Sequence, residues 1–186
     1  MLIVRFGGED TEERIRQLEA LYDLTLPQPY RDFLLRYNGG FTPKTRFHRG
    51  RLSSDLRGFY GLGPVALSLG ALPLNQWLER DLLPVACDSF GNFLALGVRG
   101  EDKEVAVFVD HEKGMAATPL AKDFPALLAL CKSNPIPEGA QRSIEERRAL
   151  LIANGRENAI TPALVAMWQA EIDKYRDMVQ EEVVLS

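Results

Sequence analysis

Histidine and cysteine are scarce in this 186-residue chain, with two of each, and the scarcity narrows its chemistry before any motif is sought. Cys87 and Cys131 stand in apolar runs, Val85-Ala86-Cys87 and Leu130-Cys131, far from the cysteine density of a disulfide scaffold. They read as buried free thiols in a reducing compartment. A chain of this length buries about 70% of the surface its unfolded form exposes, so it needs neither disulfides nor a structural metal. Long apolar runs are missing too. No stretch approaches the roughly 18 residues of a membrane span, and the opening Met1 to Phe6 is too short for a signal-peptide core. The expectation is a cytoplasmic protein with no membrane partner. A surplus of positive charge is also lacking: 22 Lys and Arg face 26 Asp and Glu, a net charge of −4, which disfavours direct nucleic-acid binding.

What charge there is lies unevenly. Residues 31–57 carry seven basic side chains against Asp32 and Asp55, whereas residues 101–125 carry six acidic side chains against three basic ones. The basic run contains Tyr37, Phe41 and Phe47, the mixture of a nucleic-acid platform. Those aromatics are needed for a core, however, and a loop making local ion pairs with the acidic segments is the stronger reading.

The element order points to an α+β fold. Asp10 with Glu13 three residues on forms a capping box for a first helix, in which Ile15, Leu18, Leu21 and Tyr22 share a face. Pro27 and Pro29 suit the start of a second helix, with Tyr30, Phe33, Leu34 and Tyr37 at i, i+3, i+4 and i+7. Asn38-Gly39-Gly40 stops it. Two short strands, 41–47 and 56–62, follow around a basic turn, then a short helix over 74–81 with Trp77 and Leu78 on its buried side. Segments 83–88, 92–98 and 104–110 read as strands joined by turns too short for anything but an antiparallel meander. Phe124 to Leu130 returns as a helix. The prolines and glycine of 133–139 mark a linker between an α+β domain, residues 1–132, and a helical extension, residues 140–186. In that extension Ser143 and Glu146 cap one helix. Thr161-Pro162 opens another, with Leu164, Trp168, Ile172, Tyr175 and Val179 in one stripe. A hairpin of this size must pack on the body or on another chain, which makes a homodimer through these helices one expectation.

The catalytic inventory is thin. Asp110-His111-Glu112 alternates faces along a strand, so it reads as a solvated strand end and no metal site is expected. Cys87 lies in an apolar strand and reads as structural. Gly58-Phe59-Tyr60-Gly61-Leu62-Gly63 lacks the Lys-Ser or Lys-Thr of a phosphate loop. The carboxylates Asp88, Glu101, Asp102, Glu104, Asp110 and Glu112 remain open to plain solvation, a charged docking surface, or an acid–base pair centred on Asp88 and Asp110.

Four motifs taken in order resemble the SUKH superfamily, which includes yeast cell-wall-assembly regulators and many bacterial immunity proteins. They are Leu26-Pro27-x-x-Tyr30-x-x-Phe33-Leu34-x-x-Tyr37-Asn38-Gly39-Gly40; Gly58 to Leu62; Leu83-Pro84-Val85-Ala86-x-Asp88-x-x-Gly91-Asn92 with Phe93 to Leu96; and Val105 to Glu112. The resemblance covers about residues 10–132. It implies a mainly antiparallel sheet packed against helices, no catalytic residues and no cofactor, and a protein partner. The partner the resemblance implies is a toxin domain of nuclease or deaminase type, neutralised by being covered. Nuclease faces are commonly basic, so Asp88, Glu101, Asp102, Glu104 and Glu112 are the expected partner-binding residues.

Overall fold

In the computed structural model, which describes residues 1–185, every pairing between named strands is antiparallel. The strands are β1 (Leu2–Arg5), β2 (Gly40–Arg49), β3 (Leu52–Phe59), β4 (Leu82–Cys87), β5 (Phe93–Gly97), β6 (Ala106–Asp110), β7 (Ala116–Ala121), β8 (Cys131–Ser133) and β9 (Glu181–Glu182). They lie in the order β7-β6-β5-β4-β3-β2-β1-β9, and β8 also pairs with β2. The long β2 therefore carries β3 on one edge and both β1 and β8 along the other, where the Leu2 N–H donates to Ser133 Oγ at 2.9 Å. Two units make up the chain: Met1–Asn134 with the residues from Gln180 onward, here called the body, and Pro135–Val179.

Helix α2 (Gln28–Tyr37) anchors the body, and its i, i+3, i+4, i+7 positions Tyr30, Phe33, Leu34 and Tyr37 are all fully buried. The Phe33 ring meets Tyr37, Phe59 and Phe124 at centroid distances of 5.2, 5.0 and 5.2 Å. Burying one such ring contributes about 2–3 kcal/mol, and each close aromatic pair about 1 kcal/mol more. Phe124 comes from α4 (Phe124–Leu130), which Asp123 caps by accepting from the Ala126 N–H at 2.8 Å. Asn38, in the left-handed region at φ 50°, ends α2. Its amide donates to Gly7 O (2.8 Å) and Leu62 O (3.0 Å), while its Oδ1 accepts from Leu62 N (2.8 Å). Gly39 beside it has φ 76°, and a Cβ there would come within 2.7 Å of the backbone of Phe59, Tyr60 and Gly61. The stop signal in Asn38-Gly39-Gly40 is thus also where three chain segments meet.

Several expectations change. Helix α1 (Thr11–Tyr22) forms without the capping box: Asp10 caps nothing and faces Arg14 at 3.9 Å, while Glu13 accepts from Gln17 at 3.0 Å. Leu21, about 120° round the helix from Ile15, is exposed while Ile15 and Leu18 are buried. The two short strands become one long hairpin, β2–β3. Strands β1, β7, β8 and β9 have no counterpart in the sequence reading. The helix over 74–81 shortens to α3 (Leu74–Leu78), with Trp77 and Leu78 buried.

The Pro135–Val179 unit holds α5 (Ile144–Ala153) and α6 (Pro162–Tyr175). The Ser143–Glu146 capping box is present, and Thr161 caps α6 through the Leu164 N–H at 3.2 Å. No residue of α6 is fully buried, and Val179 at the end of its stripe is exposed. Helix does not continue to the end of the chain as expected: β9 returns to β1, with Leu2 opposite Glu182. The unpaired edge of β1 offers backbone groups that a following strand satisfies. Tyr37 Oη fixes this return by accepting from the Val184 N–H at 2.8 Å.

Candidate functional site

The five expected partner-binding carboxylates separate into three places. Asp88 is 4% exposed, and it accepts from Ser54 Oγ (2.7 Å), the N–H groups of Phe90 (2.9 Å) and Asn92 (2.8 Å), and Asn92 Nδ2 (2.7 Å). Its acceptor capacity goes into shaping the β4–β5 turn and tying it to β3, so it leaves the expected docking group. Asn92 extends this network, its Oδ1 lying 2.9 Å from His111 Nδ1 and accepting from the His111 N–H at 3.1 Å. Two turns are thereby tied together through a residue that the sequence reading placed in a motif without giving it a role.

Glu112 is exposed in the β6–β7 turn. Glu101, Asp102 and Glu104 are exposed in the β5–β6 turn, at the other end of β6. A strand rises about 3.3 Å per residue, so roughly 20 Å separates Glu112 from the other three, and they do not form one patch. Asp110 is tied locally: it accepts from Lys113 Nζ at 2.7 Å and from the Glu112 N–H at 3.1 Å. The Lys113 hydrogen bond holds its carboxyl below the usual carboxylate range.

Backbone hydrogen bonds close the 101–104 turn. The Glu104 N–H donates to Gly97 O (2.8 Å), Gly97 N–H to Val105 O (2.9 Å), and Val105 N–H to Asp102 O (3.0 Å). A Cβ on Gly97 would collide with the Asp102 carbonyl, so glycine is required for this close approach. Arg99 secures the base of the turn by donating to the carbonyls of Tyr22 and Asp23 at the end of α1. Glu104 itself has φ 74°.

Beside this turn the sheet face opposite α2 and α4 lies partly open. Pleating sends Leu94, Leu96, Ala106 and Phe108 into the main core, and Ala95, Val107 and Val109 into a second, smaller cluster with Trp77 of α3 and Phe93. Trp77 and Phe93 meet edge to face at 4.9 Å and line a cleft of about 540 Å³ with Pro73, Gln76, Arg80 and Met115. A second cleft, about 290 Å³, lies over Val105, Val107, Ala117 and Pro119 and reaches Glu101 and Asp102. Arg80 lines both clefts and donates to Met115 O at 2.7 Å. Asp81, Glu104 and Met115 have positive φ of 56°, 74° and 63°, and left-handed backbone at non-glycine residues concentrates at functional surfaces. The sequence reading assigned Arg80, Arg99 and Phe93 to no site, since nothing local distinguishes a rim residue from any other half-buried one.

The thiols are inert by environment. Burial pushes Cys131 up to about 12, and burial likewise raises Cys87 despite the hydrogen bond from Tyr60 that opposes it. Among the described residues no group of three or more His, Cys, Asp or Glu is placed to hold a metal ion, and no helix is long and apolar enough to cross a membrane.

These features define an α+β protein whose antiparallel meander is covered on one face and partly open on the other. The chain belongs to the SMI1 / KNR4 family (SUKH-1), whose model matches residues 11–130. No curated protein and no solved structure matches it.

Proposed function

We propose that this chain is a protein-binding module rather than an enzyme, an immunity protein that covers and neutralises a toxin domain of nuclease or deaminase type in the cytoplasm. The observation that carries this reading is the open sheet face: two clefts sharing Arg80, with the hydrogen-bonded acidic turn Glu101, Asp102 and Glu104 at one end. Preordered charge and apolar clefts lower the ordering cost of association, and an acidic rim speeds encounter with a basic partner. The two carboxylates of an acid–base mechanism already have structural partners, Asp88 in its turn and Asp110 with Lys113.

The test is co-expression with a basic toxin domain encoded beside it, scored by cell survival and co-purification. Reversing Glu101, Asp102 and Glu104 to Lys should slow association about tenfold at low salt and flatten its salt dependence, with folding unchanged. An unaltered association rate removes the turn from the interface, and neither protection nor co-purification removes the immunity role.

A second reading is a scaffold that self-associates through the 135–179 unit. Leu150, Ile152 and Met167 are exposed there, an apolar display that a second copy would cover. Changing these three to Gln and measuring mass by sedimentation decides it. Truncation at Pro135 does not serve, because it also removes β9 from the body's sheet.

A further inference from the structure

Strand register builds a basic face that the linear charge count left scattered. On β2 the side chains of Thr45 and Phe47 enter the core, which sends Arg46 to the opposite face. Register sets Arg46 against Asp55 of β3 on one side and Lys132 of β8 on the other. Lys44 and Arg57 flank this row in a cleft of about 460 Å³ that also includes Ser89 and Asn134. Lys44, Arg46, Arg57 and Lys132 are all exposed, and among the described residues none of them enters an ion pair. The local ion pairs expected for this run are therefore absent from its outer face. Asp55 does not neutralise Arg46 and instead accepts from the Ser89 N–H at 3.1 Å. Lys44 stands at the β2 bulge with φ 40°, a conformation that favours glycine and is held here by a long cationic residue.

We propose that this face docks an acidic polypeptide segment of a partner protein. Four unpaired cations at strand spacing suit carboxylates two residues apart on an extended chain, and arginine binds carboxylates in a two-pronged fashion. Nucleic acid fits less well. Phe47 is buried against Phe108, Phe59 is fully buried, and Phe41 packs edge-on against Phe6 at 5.1 Å, so none of the three phenylalanines of this hairpin offers a stacking surface, and the whole chain is acidic. The proposal concerns a patch of opposite sign to the acidic turn and stands independently of the toxin reading.

A fluorescein-labelled deca-glutamate peptide, followed by anisotropy with the full chain at low salt, tests it. The double variant Arg46→Glu, Lys132→Glu should weaken peptide binding at least about tenfold, and Arg46→Gln, Lys132→Gln about threefold, with unchanged far-UV circular dichroism. Lys44→Gly separates binding from folding: it should raise the melting temperature by relieving the backbone while weakening the peptide about twofold. Unchanged peptide affinity in the double reversal overturns the proposal. So does tighter binding of a ten-nucleotide oligothymidylate than of the peptide, which reassigns the face to nucleic acid. Concentration-dependent mass in sedimentation that Arg46→Glu abolishes reassigns it to a second copy of this chain.

Discussion

The body and the 135–179 unit are held together by different physics. In the body Tyr30, Phe33, Phe59 and Phe124 pack edge to face into a fully buried centre, and a buried carboxylate, Asp88, serves one turn. In the 135–179 unit the organising residue is an arginine. Arg147, 9% exposed, donates to the carbonyls of Gly139 (2.9 Å), Ala140 (2.7 Å) and Arg142 (3.1 Å), and to Glu171 at 2.7 Å, joining α5 to α6. A 45-residue segment buries too little apolar surface for an independent core, so directional bonds do there what area does in the body. Small units rest on few, irreplaceable contacts.

The sharpest way to break this contrast is Phe33→Ala. Cavity formation should cost the body about 3–5 kcal/mol, read by urea unfolding with Cys87 and Cys131 alkylation as a body-only signal. A loss under about 1 kcal/mol would mean the aromatic centre is not what holds it. Next comes Asp88→Ala, which orphans two N–H groups and should cost about 2–3 kcal/mol, with Asp88→Asn recovering part of it. Arg147→Ala should cost the 135–179 unit about 2 kcal/mol and leave thiol labelling of the body unchanged. Trp168 fluorescence in a Trp77→Phe background reports that unit alone, and equal losses in both signals would show one cooperative structure.

The smallest effect is a pH dependence confined to the body. Cys131 is neutral in both states below pH 9; above it the unfolded thiol ionises while the folded one, pushed up to about 12, does not. Body stability should therefore fall as pH rises from 9 toward 12, by about 1–2 kcal/mol at pH 10 for this group, and Cys131→Ala should make that slope shallower, the remainder including Cys87, which burial also raises. The 135–179 unit has no cysteine and lacks this contribution.

Legibility in the sequence followed range. The α2 face, the α4 span, the Ser143–Glu146 box and the β4–β5–β6 meander were all readable, because each helix, cap and strand-to-strand turn among them is encoded within about ten residues. The Asp10–Glu13 box failed although its residues have the right spacing, since Asp10 does not adopt the extended backbone a cap needs. Strands β1, β8 and β9 were invisible: they are two to four residues long and exist only by pairing with partners distant in sequence. The placement of the expected acidic group was legible only in part. Glu101, Asp102 and Glu104 do share a turn, but Asp88 and Glu112 carry the same charge and differ only in burial and in which end of β6 they occupy.

By itself the sequence determined the α+β class, the family motifs and the scarcity of histidine and cysteine, because periodicity, caps and composition act locally. Tertiary structure alone decided that Asp88 is internal and that the acidic residues divide between two ends of a strand. It also set Lys132 beside Arg46. Hydrogen-bond satisfaction and strand register are long-range properties, and the same carboxylate or cation takes its role from what the fold sets next to it.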